Sequence, residues 1–304
     1  MILVTGGTGF VGQALVRHLV AAGSQVRILL RPSLESPSLP RGVPVEVAVC
    51  SLTDDRGLRA AMKGVDVVYH LAGAERRGSR ADLTGVDVEG TRVVAQAAAQ
   101  AGVDRFFFLS HLGADRASAY PVMKAKGLAE HFIQQSGVPY TIFRCSTIFG
   151  PNDQFTVPLS RLLTIAPGAF FMPGDGKSLL QPLWVEDVIT CLTWALEDAA
   201  TVGQLYSIGG PEYLTYEQVC EMILKTVGLR RWLVPFPPPY LRFLGLFMEQ
   251  NFPRFPVSIF WLDYLAVDRT CAVDSLPRLF GLMPARLTEQ MTYLRQLPKR
   301  GRGK

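Results

Sequence analysis

Through the first 150 residues, short apolar runs alternate with stretches whose hydrophobic positions recur every three to four residues. The apolar runs predict strands at Met1–Val4, Val26–Leu30, Val45–Val49, Val65–His70, Arg105–Ser110 and Tyr140–Arg144. Between them, stretches such as Gln13–Ala22 and Thr91–Ala101 are amphipathic with a helical period. The runs are apolar along their whole length, as expected of strands covered on both faces. The pattern therefore predicts an α/β fold, a doubly wound parallel sheet wrapped by helices.

After Gly150-Pro151 the alternation breaks and proline becomes denser. Thr215-x-x-Gln218 has the spacing of a capping box opening a helix over Tyr216–Val227. Leu287, Met291, Leu294 and Leu297 share one helical face. These features predict a smaller α+β C-terminal lobe over residues 151–298, interleaved with the sheet edge, after a first domain of 1–150 and before a basic tail of 299–304. Open α/β sheets bind ligands at the C-terminal ends of their strands, where such a lobe would lie.

Trp232–Leu265 stands apart: Pro235, Pro237, Pro238 and Pro239 precede Leu241, Phe243, Leu244, Leu246, Phe247 and Met248, with Arg230, Arg231, Arg242 and Arg254 nearby. Two readings are open, a helix packed on the lobe's own core, or a peripheral contact with a membrane or partner.

The 304 residues are 48% hydrophobic and 19% charged, which excludes disorder and low complexity and leaves ample core. Lys299, Arg300, Arg302 and Lys304 account for four of the five net positive charges, so the body is nearly neutral and no nucleic-acid partner is expected. The five cysteines are scattered, without C-x-x-C or metal spacing, as suits reduced thiols and a cytoplasmic location. No apolar run reaches the roughly 20 residues of a membrane span. Met1–Val4 already reads as a core strand, so no signal peptide is expected.

Three constellations carry chemistry. Gly6-Gly7-Thr8-Gly9-Phe10-Val11-Gly12 follows the first strand and opens the first helix. Such glycines let a pyrophosphate approach the backbone while the helix N-terminus supplies N–H groups, which makes Gly6, Thr8, Gly9, Phe10, Val11 and Gly12 cofactor-binding candidates. At the end of the second strand, where an acid would read the ribose of NAD, stand Arg31 and then Ser33. A guanidinium there suits the 2′-phosphate of NADP(H), the preferred cofactor, with NAD(H) as the other choice. Tyr120-Pro121-Val122-Met123-Lys124 opens the helix after the fifth strand, with phenol and ammonium on one helical face. A neighbouring cation favours a tyrosine's phenolate form, and Ser110, closing the fifth strand, is placed to bond a substrate oxygen. Leu71, Ala72 and Gly73 follow His70, whose backbone is expected to support the cofactor cleft; His111 stands beside Ser110. No metal-ligand cluster is expected.

In order along the chain, the glycine run, His70-Leu71-Ala72-Gly73, Tyr120-x-x-x-Lys124 and Phe149-Gly150-Pro151 resemble the short-chain dehydrogenase/reductase superfamily, in its extended and atypical branches. Ala119-Tyr120-Pro121-x-x-Lys124-x-Lys126-Gly127 and Ile148-Phe149-Gly150-Pro151-x-Asp153-x-Phe155 are most similar to the group of the Rossmann-type, NADPH-binding accessory subunit of respiratory complex I. Trp184-Val185-Glu186-Asp187-Val188 and Tyr206-Ser207-Ile208-Gly209-Gly210 also match extended-branch patterns. The resemblance implies that Tyr120 is the catalytic acid/base, that Lys124 binds the nicotinamide ribose, and that Ser110 is the active-site hydroxyl. Three positions depart from the pattern: Cys50-Ser51-Leu52 for Gly-Asp-Leu, Asp87 for the Asn of Asn-Val-x-Gly-Thr, and Cys145 for the Pro after Arg144. Two functions remain: an NADP(H)-dependent oxidoreductase or epimerase/dehydratase acting on a small molecule, and a non-catalytic NADPH-binding subunit or assembly factor, peripheral at a membrane complex.

Overall fold

The computed structural model describes residues 1–33, 39, 40, 42–251 and 259–296. The chain begins with β1 (Ile2–Thr5), α1 (Phe10–Ala21), β2 (Val26–Leu30), β3 (Glu46–Val49), α2 (Asp55–Ala61), β4 (Val67–His70), α3 (Thr91–Gln100), β5 (Arg105–His111), α4 (Pro121–Gln135) and β6 (Tyr140–Cys145). It continues through β7 (Ile148–Phe149), α5 (Thr156–Ile165), β8 (Ala169–Pro173), β9 (Leu179–Leu180), β10 (Leu183–Trp184), α6 (Val185–Glu197) and β11 (Gln204–Ile208). The last elements are β12 (Leu214–Thr215), α7 (Tyr216–Val227), β13 (Trp232–Phe236), α8 (Pro238–Asn251), α9 (Ile259–Tyr264), α10 (Ser275–Phe280) and α11 (Leu287–Gln290). All six predicted strands are present, each within two residues of its predicted ends.

Two compact units share the chain, and both are discontinuous. The first joins Met1–Cys145 to Val185–Ile208, the second Ser146–Trp184 to Gly209–Lys304. Where the sequence suggested one cut at 150, residues 185–208 return to the first unit and supply a helix and a seventh strand.

In the first unit the seven strands form one sheet in the order β3-β2-β1-β4-β5-β6-β11, and every pairing is parallel. On one face, Leu3, Val68, Phe106, Phe108 and Ile142 pack with Leu58 of α2, Val94 and Ala98 of α3, and Ala129 and Ile133 of α4. On the other, the Tyr69 hydroxyl donates to the Leu192 carbonyl of α6, and Tyr69 stacks on Phe107 at 4.7 Å. Both faces are thus covered, which is why these strands carry no polar alternation. Buried Arg105 at the start of β5 donates to the carbonyls of Ala195 and Asp198 and to the hydroxyls of Thr141 and Thr201. That fork fastens the 195–201 connection to the sheet.

The second unit is built from short pairs: β7 with β10, β8 with β13, and β9 with β12. Its polar centre is Asp153, whose buried carboxylate accepts from the N–H groups of Gly150, Phe155 and Val157 and from the hydroxyls of Thr156 and Tyr293. The predicted capping box is formed: Thr215 Oγ1 accepts from Gln218 N–H and Gln218 Oε1 from Thr215 N–H, while Gly228 ends α7 in the left-handed conformation.

Two expectations need correction. The face Leu287–Leu297 is not one helix: α11 is a single turn, followed by a 3₁₀ segment over Met291–Gln296. Leu287, Met291 and Leu294 are nonetheless buried, and Leu297 lies outside the described residues. Within 232–265, the core-packed reading fails for α8, where Gly245 alone of the fourteen residues is buried. Arg254 and the basic tail lie outside the described residues. Among the described residues, no helix is long and apolar enough to cross a membrane.

Candidate active site

The order of the sheet reverses between β1 and β4: β2 and β3 extend to one side, β5, β6 and β11 to the other. Such a switch point leaves a crevice beyond the C-terminal ends of the two central strands. The turn after β1 and the loop after β4 form its walls, and they touch. Gly6 has a φ of 69°, and a Cβ there would fall 2.5 Å from the Leu71 carbonyl oxygen. A Cβ on Gly12 would fall 2.2 Å from the Gly6 carbonyl oxygen, so the first turn of α1 lies against the same peptide. No side chain caps α1 and no acid stands in its first turn, which leaves a positive N-terminus facing the turn. Thr8, Gly9 and Phe10 are half-buried there, with the side chain of Val11 packed inward. This cradle, closed to any side chain at its two tightest points, fits the pyrophosphate of a dinucleotide.

Arg31 and Ser33 follow β2 directly, and both are exposed. Leu71 and Ala72 are half-buried and Gly73 is exposed. The loop that contains them is fixed by backbone bonds, Leu71 N–H to the Thr5 carbonyl and Ala72 N–H to Thr5 Oγ1.

His70 supports this loop differently from the expectation. Its ring, not only its backbone, does so: Nδ1 lies 2.8 Å from Thr5 Oγ1 and Nε2 lies 2.9 Å from Thr91 Oγ1, both bonds fully buried. Burial, aided by the charge of Lys126, pushes its pKa down to about 3. The neutral ring therefore clamps β1, β4 and the start of α3.

Tyr120 is the N-cap residue of α4 and Pro121 its first helical residue, where proline's missing N–H costs nothing. Tyr120 is half-buried and its carbonyl accepts from Lys124 N–H at 3.0 Å; the Lys124 side chain is exposed. Ser110 is 2% exposed and shares a strand face with Phe106 and Phe108. Its hydroxyl has no hydrogen-bond partner among the described residues. A buried unsatisfied hydroxyl is uncommon, and this one stands one residue before the end of β5, the strand adjoining β4.

The sequence reading missed what lies beside it. Lys126, on α4, is buried with its ammonium 3.1 Å from Asp87 and 3.6 Å from Glu75. His111 Nε2 lies 3.8 Å from the other Glu75 oxygen. Burial opposes all three charges. Glu75 and Asp87 more than offset this for Lys126, whose pKa is raised. Lys126 and His111 hold Glu75 well below the usual carboxylate range, whereas burial dominates at Asp87 and raises it. The available signal was a lysine on the buried stripe of α4, between Met123 and Ile133. Among the described residues, no group of three or more His, Cys, Asp or Glu side chains is placed to hold a metal ion.

Comparison with known proteins places this geometry in context. Residues 2–209 match the NAD dependent epimerase/dehydratase family. The chain is 30% identical over 249 residues to a protein of Arabidopsis thaliana named NADH dehydrogenase (ubiquinone) 1 alpha subcomplex subunit 9, mitochondrial; the match covers 77% of this chain and 60% of that one. It is also 30% identical over 285 residues to sterol demethylase protein B of Methylococcus capsulatus, covering 83% and 82%. Among solved structures, a short-chain dehydrogenase/reductase superfamily protein from Agrobacterium tumefaciens with bound NAD superposes with a TM-score of 0.72 at 22% identity, covering 97% of this chain and 95% of that one. The chain thus spans about three-fifths of the length of the subunit relative.

Proposed function

Because the chain belongs to the NAD dependent epimerase/dehydratase family, we propose that it is an NADP(H)-dependent oxidoreductase, or a related epimerase/dehydratase, that begins with hydride transfer at a secondary alcohol or carbonyl. The observation that carries this reading is the glycine cradle at the sheet's switch point, with the helix of Tyr120 and Lys124 following the adjoining strand β5. Gly6, Thr8, Gly9, Phe10, Val11 and Gly12 would hold the pyrophosphate, Leu71, Ala72 and Gly73 would form the facing wall, and Lys124 would bond the nicotinamide ribose. The dinucleotide supplies the hydride acceptor or donor. Tyr120 takes the hydroxyl proton when an alcohol is oxidised and returns it when a carbonyl is reduced, so each hydride is matched by one proton. Ser110 would donate its hydroxyl, unpartnered among the described residues, to the substrate oxygen.

The exposed guanidinium of Arg31 after β2 supports NADP(H) over NAD(H). Arg31→Ala should weaken NADPH binding at least about tenfold and leave NADH nearly unchanged, since one charge-assisted bond to phosphate is lost. Fluorescence titration with both nucleotides measures this. Equal losses would remove the argument for the phosphate.

One observation favours a second reading, a peripheral subunit at a membrane complex. Trp232, Tyr240, Phe243, Leu244 and Phe247 are all exposed, Trp232 at 81% and Phe243 at 74%, and positions 240, 243, 244 and 247 share one face of α8. An apolar aromatic face of this kind suits a bilayer interface. The name of the Arabidopsis relative supports a complex, and that of the Methylococcus relative supports a sterol-like lipid as the substrate whose hydroxyl or carbonyl reacts. The protein should float with anionic vesicles, and Phe243→Ser with Phe247→Ser should abolish flotation. If the wild-type protein neither floats nor retains companion chains on gentle purification, the peripheral reading fails.

A further inference from the structure

We propose that Lys126 is a positioning residue: it ties the loop after β4, one wall of the crevice, to α4, the helix that Tyr120 caps. The inference rests on reading that crevice as the nucleotide site. One ammonium reaches three segments, because Lys126 belongs to α4, Asp87 to the helical segment Leu83–Gly90, and Glu75 to the turn after the loop. The second oxygen of Asp87 accepts the Ala74 N–H at 2.9 Å, which carries the tie into the loop's backbone. A Cβ on Gly73 would fall 2.4 Å from Glu75 Oε2 and 3.1 Å from Asp87 Oδ1, so both carboxylates press against the same peptide. Lys126 also lies over the Phe108 ring, 5.4 Å from its centre.

A buried ion cluster contributes little net stability over apolar packing, whereas removing one partner from it is strongly destabilising. Its use is therefore geometric. The titratable groups facing Lys126 are Glu75 and Asp87, with His111 against Glu75 and neutral His70 beneath. Without the ammonium, two desolvated carboxylates face each other, and the loop can keep its place only when they take up protons. Order in the loop is then present at low pH and lost as pH rises.

The test compares Lys126→Met with the wild type from pH 5.5 to 8.5. NADPH affinity is read by fluorescence titration, and exchange of the Ala74 amide is read in nucleotide-free protein at each pH. The variant-to-wild-type ratio of dissociation constants should climb at least about tenfold across that range, and the variant-to-wild-type ratio of Ala74 exchange rates should climb in parallel. Lys126→Met combined with Glu75→Gln and Asp87→Asn should flatten both profiles. A Lys126→Met protein that loses thermal stability but shows a flat ratio and wild-type Ala74 protection overturns the proposal. Should that variant not fold, Asp87→Asn decides: Ala74 exchange faster by at least about fivefold, with β4 amides unchanged, supports the tie, and unchanged Ala74 exchange overturns it. A wild-type protein that binds no nucleotide defeats the proposed function, while the exchange measurements still decide the role of Lys126.

Discussion

Tyr120→Phe should lower turnover by about 10²–10⁴-fold while NADPH affinity barely changes, because the ring and its packing stay and the proton-carrying oxygen goes. Tyr120 is suited to such a separation. It stands at the N-cap of α4, outside the hydrogen-bonded helix, and its backbone is fixed by Ser118 Oγ at its N–H and by Lys124 N–H at its carbonyl. Lys124→Ala should instead harm both binding and turnover, since the ammonium serves the ribose as well as the tyrosine. The measurement is NADPH oxidation across a panel of ketones, sterols, quinones and nucleotide sugars, paired with nucleotide titration. Turnover that survives Tyr120→Phe would sink the mechanism. Tight NADPH binding with no oxidation of anything on the panel would move the weight to the non-catalytic reading.

Gly6→Ala should weaken binding of either nucleotide at least about thirtyfold, with the oxidised and reduced forms affected alike. A left-handed φ costs an alanine roughly 1–2 kcal/mol. Its methyl would also meet a backbone carbonyl, that of Leu71, which has no rotamer by which to yield. The turn and the loop after β4 must then separate, and the cradle opens. The same substitution at Gly23, which also has a positive φ but nothing within 4 Å of its Cβ, controls for strain alone. Calorimetric titration should show the affinity loss at position 6 and not at 23. If Gly6→Ala folds and binds as the wild type does, the cradle is not where the dinucleotide lies.

What was legible in advance follows from which forces act locally. The six predicted strands are apolar throughout because they are sandwiched, and such runs need no partner to be recognised. β11 carries no such signature: Gln204, Leu205, Tyr206 and Ser207 are none of them fully buried, and among the described residues the strand pairs on one side alone, with β6. The glycine turn and Tyr120/Lys124 could be read because spacing and the adjoining strand sufficed. The Lys126 cluster could not, since Glu75, Asp87 and Lys126 are distant in sequence and meet only in the folded unit. In the sequence, Asp87 stands out only as a departure from a family pattern. In the structure, that departure is matched by a lysine.

The return of residues 185–208 to the first sheet has a consequence for how the protein is made. A chain emerging from the ribosome cannot complete its seven-stranded sheet until β11 has been synthesised, and by then 146–184, part of the other unit, is already outside. Until that moment the outer edge of β6 is open, with Thr141 and the Arg105 guanidinium waiting for the carbonyls and hydroxyls of 195–201. Pairing across so long an interval is slow, and an unpaired edge invites association with other chains. A fragment ending near 150 should therefore be aggregation-prone, and one ending at 208 should fold more readily. The vulnerable period in the life of this protein falls during its synthesis, between the appearance of its sixth strand and its eleventh.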